Sequence, residues 1–172
     1  MAAELNCCHT LYIETMQLTF TYNFFEETRE ATNMIFHPGD YRGLRSVIWP
    51  FSSEFLRVAF TFGRYKKLVD KIWDSVAPEA ERVFMERGLR NLGRVMCYLH
   101  GISCEGWFDI DKNSIHVRVT NVKNDKELLD TILHELLHLA TYDEKFSYEE
   151  REKLVDEYLS FPEFRRLRNN VR

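Results

Sequence analysis

The stretch Asn124-Asp-Lys-Glu-Leu-Leu-Asp-Thr-Ile-Leu-His-Glu-Leu-Leu-His-Leu-Ala-Thr-Tyr142 decides how this chain is read. Its apolar members, Leu128, Leu129, Ile132, Leu133, Leu136, Leu137 and Ala140, recur at helical spacing over most of the circumference, so the segment is predicted to be a largely buried helix. Asn124 or Asp125 serves as its cap, and Glu127 places an acid in the first turn, where the helix dipole favours one. Residues 134 to 138 within it read His-Glu-Leu-Leu-His. Side chains four apart on a helix stand one above the other, so His134 and His138 can offer two imidazoles to one metal ion. Glu135 lies one position on and can take a proton from a water at that ion. Two histidines in an apolar helix need polar partners, and a metal would satisfy both.

The chain has 172 residues, 45% hydrophobic and 14% aromatic, which is enough for one well-packed domain. We expect a single domain over residues 1–172. Within it, 1–105 form a mostly helical N-terminal region, 106–161 the core that carries the motif, and 162–172 a short helical or frayed tail. A formal net charge of -4 supplies no global basic field for nucleic acid. No uncharged run approaches a bilayer span, and Met1 to Thr10 lacks the basic start and apolar run of a secretory signal, so a cytoplasmic protein without a membrane partner is expected. The cysteines Cys7, Cys8, Cys97 and Cys104 show no C-x-x-C spacing and are read as reduced thiols.

Outward from the motif, the pattern is mixed helix and strand. Met16, Leu18, Phe20 and Tyr22 alternate with polar residues, as in a half-buried strand. Asn23 caps a helix from Phe24 to Ile35, closed by His37-Pro38-Gly39. A long helix is expected from Ser52 or Ser53 to Val76, with Phe55, Val58, Ala59, Phe62 and Tyr65 as its core stripe. A second is expected from Pro78 to His100, with Val83, Phe84, Leu89, Leu92, Val95 and Leu99, ended by Gly101. Gly106–Ile110 and Ser114–Val119 then flank Asp111-Lys-Asn113 as a hairpin. The expected class is therefore α+β: a mainly helical domain with a small antiparallel sheet or hairpin packed on the motif helix.

A catalytic metal site usually has three protein ligands. After Tyr142 a polar loop leads to Ser147-Tyr-Glu-Glu150, a capping box that starts another helix running to about Ser160. At 100° per residue, Leu154, Val155, Tyr158 and Leu159 define its buried face. Glu152 points close to that stripe, Asp156 lies at its border, and Glu149, Glu150 and Glu157 turn outward. An inward carboxylate needs a cation or a donor, so Glu152 is the expected third ligand, with Glu149 as the fallback.

A helical H-E-x-x-H followed by a second helix bearing E-x-x-x-D resembles the gluzincin branch of the zincin zinc metallopeptidases, over about residues 114–161, and is most similar to their small single-domain versions, the minigluzincins. The resemblance implies Zn2+ held by His134, His138 and Glu152, with Glu135 as general base. It also implies that Asp156 orients His134 from behind, and that the strand before the motif helix lies along a peptide or protein substrate. The interval from His138 to Glu152 is shorter than in the large members, and Arg151 stands where Asn is usual. No further histidine follows His138. Tyr142, Tyr148 and His116 are polar candidates for stabilising an oxyanion. An alternative reading is a non-catalytic zincin-fold binding or regulatory protein whose N-terminal helices engage a protein or nucleic-acid partner. It is motivated by Arg42, Arg45, Arg57, Arg64, Lys66 and Lys67. The size of the segment before Ser114 also raises a pro-segment that covers the cleft.

Overall fold

Residues 15–41 and 47–170 are described by the computed structural model, except for the side chain of residue 55. Along them run β1 (Gln17–Thr21), α1 (Phe24–Phe36), α2 (Glu54–Asp74), α3 (Ala77–Glu86), β2 (Arg94–His100), β3 (Gly106–Asp109), β4 (Ser114–Arg118), α4 (Asp125–Thr141), α5 (Tyr148–Ser160) and α6 (Pro162–Asn170). The fold is α+β, with a four-stranded sheet in the order β1-β2-β4-β3. The expected hairpin is there: β3 and β4 pair antiparallel, Trp107 opposite His116. The sheet as a whole is mixed, because β1 and β4 both run parallel to β2.

The helix expected from Pro78 to His100 is corrected. It stops at Glu86, where Gly88 takes φ 65° and the amides of Gly88 and Leu89 bond back to Met85 and Phe84. This is a Schellman closure, for which a glycine in the left-handed region is the favoured residue. The chain then re-enters as β2, burying Val95, Cys97 and Leu99 on one face. A spacing of four residues returns to the same face of a strand as well as of a helix, so the pair Val95 and Leu99 alone does not separate the two. The C-terminal segment takes the helical of its two expected forms: α6 buries Phe164 and Leu167 in the main core.

One face of the sheet, with Val95, Leu99, Ile115 and Val117, packs on the apolar side of α4 at Leu129, Ile132, Leu133 and Leu136. β4 is interior and buried on both faces. Its second face carries His116, Arg118 and Thr120, all buried, and is tied to α1 through a polar chain. Glu27 lies fully buried, accepting the Gly101 amide at 2.9 Å with Oε1 and facing His100 Nδ1 at 2.5 Å with Oε2. His100 Nε2 meets His116 Nδ1 at 2.8 Å. His116 is stacked on Trp107 and Tyr98, and its Nε2 is buried without a hydrogen-bond partner. Gly101 is needed at the turn of this chain, because a Cβ there would lie 2.4 Å from the Glu54 carbonyl oxygen.

Burial, helped by His100 beside it, pushes the His116 imidazole down from 6.5 to about 3. The unfolded chain binds that proton below about 6.5 and the native chain only near 3. Stability contributed by the neutral ring is thus lost as the pH falls through that window. In urea titrations at pH 7 and 4.5, His116→Phe is expected to lose less stability on acidification than the parent chain, the difference being of the order of 2 kcal/mol. Equal losses in the two proteins would show that His116 is not held neutral.

Candidate metal centre

Helix α4 opens on Asn124, whose side chain accepts the Glu127 amide, and helix α5 on the capping box of Ser147 and Glu150. These two caps fix where each helix starts, and therefore which residues face each other across the pair. His134 and His138 present Nε2 atoms 3.0 Å apart. Glu152 crosses from α5 with Oε1 3.1 Å from His138 Nε2 and Oε2 3.4 Å from His134 Nε2. Metal–ligand distances near 2.0–2.1 Å in a tetrahedral site place donor atoms roughly 3.3 Å from one another, so the spacing here fits one ion. His134, His138 and Glu152 form a group that could hold a metal ion. Glu149 is exposed and outside this group.

The electrostatics agree with that geometry. The hydrogen bonds from His134 and His138 hold the Glu152 carboxyl well below the usual carboxylate range. At His134 burial works against the charged form, but the carboxylates of Glu152, Glu135 and Asp156 outweigh it and raise the imidazole. Asp156 is exposed. It makes no hydrogen bond to His134 among the described residues and acts on that ring only through its charge. Burial pushes Glu135 up to about 8, against the pull of His134.

The edge strand β3 closes over α4 from the other side. Phe108 stacks on the ring of His138, with centroids 5.0 Å apart and planes at 11°, which fixes the imidazole's rotation. Two residues earlier Gly106 passes directly over Glu135: a Cβ there would stand 2.6 Å from Oε1 and 2.8 Å from Thr131 Cγ2. Neither residue stood out in the sequence beyond its place in a strand. The available signal was a glycine beginning a strand, which marks a close backbone approach. The strand beside the site is thus β3, and β4, which precedes α4 in the chain, lies inside the sheet.

An open cleft of about 660 Å³ lies over the group, lined by Gly106, Phe108, His134, Glu135, His138 and Glu152, with Tyr148, Leu159, Asp130 and Arg168 further out. Among the described residues none before Cys104 lines it. Of the three oxyanion candidates only Tyr148 does so, and burial together with the nearby Glu152 carboxylate raises its phenol. Tyr142 is engaged by Phe108 and by the Arg151 guanidinium, 5.2 Å above its ring. His116 lies buried on the far face of the sheet, away from this role. No helix among the described residues is long and apolar enough to cross a membrane. Cys97 and Cys104 are free thiols, while Cys7 and Cys8 lie outside the described residues.

No family model, no curated protein and no solved structure matches the chain. The chemistry assigned to the site rests on the geometry of its own side chains.

Gly106→Ala is expected to lower stability by about 1–3 kcal/mol, since the new methyl must displace Glu135 or the strand. In a double-mutant cycle the penalty is expected to shrink by more than about 0.5 kcal/mol in the Glu135→Ala background. Additive urea midpoints would show that Gly106 is not tied to Glu135.

Proposed function

We propose that this chain is a zinc-dependent peptidase of the zincin type, with zinc held by His134, His138 and Glu152 and with Glu135 as the general base. The observation that carries the proposal is the placement of the buried Glu135 carboxyl next to a three-donor group at the floor of an open cleft. A set of two imidazoles and one carboxylate, with room left in the cleft for a fourth partner, suits catalytic zinc. Zinc in such a site polarises a carbonyl and makes water a stronger acid.

The chain's own residues then have separate tasks. Glu135 takes the proton of the attacking water and passes it to the departing amine. Burial, with the Glu152 charge adding to it and His134 opposing it, holds that carboxyl near 8, and zinc held beside it would lower it toward the range where a base works at neutral pH. Phe108 keeps the His138 ring in plane, and Glu152 keeps both Nε2 atoms turned inward. β3 lies at the edge of the sheet, where an extended peptide could pair with it. Asp156 supports His134 through charge, a weaker role than the direct contact implied by the family resemblance.

The alternative, a binding protein that uses basic N-terminal helices, has less support. Arg57 bonds Glu54 and Lys66 bonds Asp70 within α2, while Arg42 and Arg45 lie outside the described residues.

Glu135→Gln is expected to retain one zinc per chain by metal analysis while peptide hydrolysis falls by about 10²–10⁴-fold. Glu152→Gln and His138→Ala are expected to weaken zinc binding itself. A parent protein that takes up no zinc, or a Glu135→Gln variant that cleaves a peptide library as fast as the parent, would sink the proposal.

A further inference from the structure

The cleft extends past the metal group to a cation. Along α4 it passes from His138 and His134 to Thr131 and Asp130, one helical turn or about 6 Å beyond His134. Helix α6 bounds that end. Arg168 donates from Nη2 to the Leu159 carbonyl at 2.8 Å and keeps Nε 3.4 Å from Asp130 Oδ1. Asn169 Oδ1 lies 3.5 Å from Lys126 Nζ, a second point where α6 meets α4. Arg168 is the only lysine or arginine among the described residues that line the cleft, and its side chain is 28% exposed. Its Nη1 has no partner among the described residues, so that end of the guanidinium keeps free N–H donors.

The edge strand gives the cleft a direction. Gly106 approaches Thr131 and Glu135, and Phe108, further along β3, stacks on His138, further along α4. Strand and helix therefore run in the same sense past the metal group. A peptide pairing antiparallel with β3, the commoner and more stable arrangement, points its C-terminal side toward Asp130 and Arg168. An extended chain advances about 3.3 Å per residue, so the 6 Å step accommodates one or two residues beyond the cut bond.

We propose that Arg168 receives the terminal carboxylate of a peptide and that the site removes one or two residues from C-terminal ends. The inference rests on the peptidase reading above. Leu159 and Asp130 hold the guanidinium in place through Nη2 and Nε, which leaves Nη1 to donate a charge-assisted hydrogen bond to a carboxylate. Water adds across the scissile C–N bond: its oxygen goes to the acyl carbon, and its proton travels through Glu135 to the leaving nitrogen. The products are a shortened peptide and a free amino acid or dipeptide.

The test uses the zinc-loaded full chain and two hydroxamate-capped dipeptides, identical except that one ends in a free carboxylate and the other in a carboxamide, with affinities measured by calorimetry. The carboxylate form is expected to bind at least about tenfold more tightly, and the ratio to collapse toward one in Arg168→Gln. Equal affinities in the parent protein, or an undiminished ratio in Arg168→Gln, overturn the carboxylate assignment and leave the metal site standing. Failure of both hydroxamates to bind overturns the peptidase reading and this inference with it. If Arg168→Gln does not melt cooperatively, Arg168→Lys carries the test. Keeping the positive charge but removing the planar guanidinium is expected to narrow the ratio, and a ratio as wide as the parent's contradicts the proposal.

Discussion

Helix α4 has to bury an almost wholly apolar surface and, within the same interior, present three ionisable side chains. That constraint organises the rest of the molecule. The apolar side takes up one face of the sheet, with Leu129, Ile132, Leu133 and Leu136 against Val95, Leu99, Ile115 and Val117. The polar stripe of His134, Glu135 and His138 cannot be left against hydrocarbon, because unpaired buried polar groups are costly. It faces the gap between the edge strand and α5, and each neighbour supplies what the stripe needs. Helix α5 brings the Glu152 carboxylate to both imidazoles, β3 brings a glycine where there is no room for a side chain, and Phe108 covers the ring of His138.

The cost of this arrangement is concentrated on Glu135. Its carboxyl is buried, and burial raises it to about 8 despite the opposing pull of His134. Glu152 has the opposite environment, with two histidines holding its carboxyl low. Two carboxyls in one cleft are thus driven in opposite directions by their surroundings, which suits the proposed division between a base and a ligand. On the far side of the sheet the chain Glu27, His100 and His116 secures α1 and supports Trp107, so the strand that carries Gly106 and Phe108 is held from behind.

Much of this was legible in the sequence wherever the signal was local. The Asn23 and Asn124 caps, the Ser147–Glu150 capping box, the β3–β4 hairpin and the inward turn of Glu152 all follow from residues within a few positions of one another. The strand β2 was not legible, since Val95 and Leu99 suit a helix as well as a strand and its partners β1 and β4 are distant in the chain. The meeting of Glu27 with His100, and of Asp130 with Arg168, depends on tertiary packing that no local period encodes. Asp156, at the border of the α5 stripe, lies near enough to influence His134 by charge without bonding to it.

The most direct test of the central claim is anomalous diffraction at the zinc absorption edge from crystals of the protein grown with zinc. The account requires a single strong peak about 2.0–2.2 Å from His134 Nε2, His138 Nε2 and one carboxylate oxygen of Glu152, with Glu135 close by but not bound to the ion. A peak elsewhere, or none at these three residues while zinc is bound in solution, would contradict it.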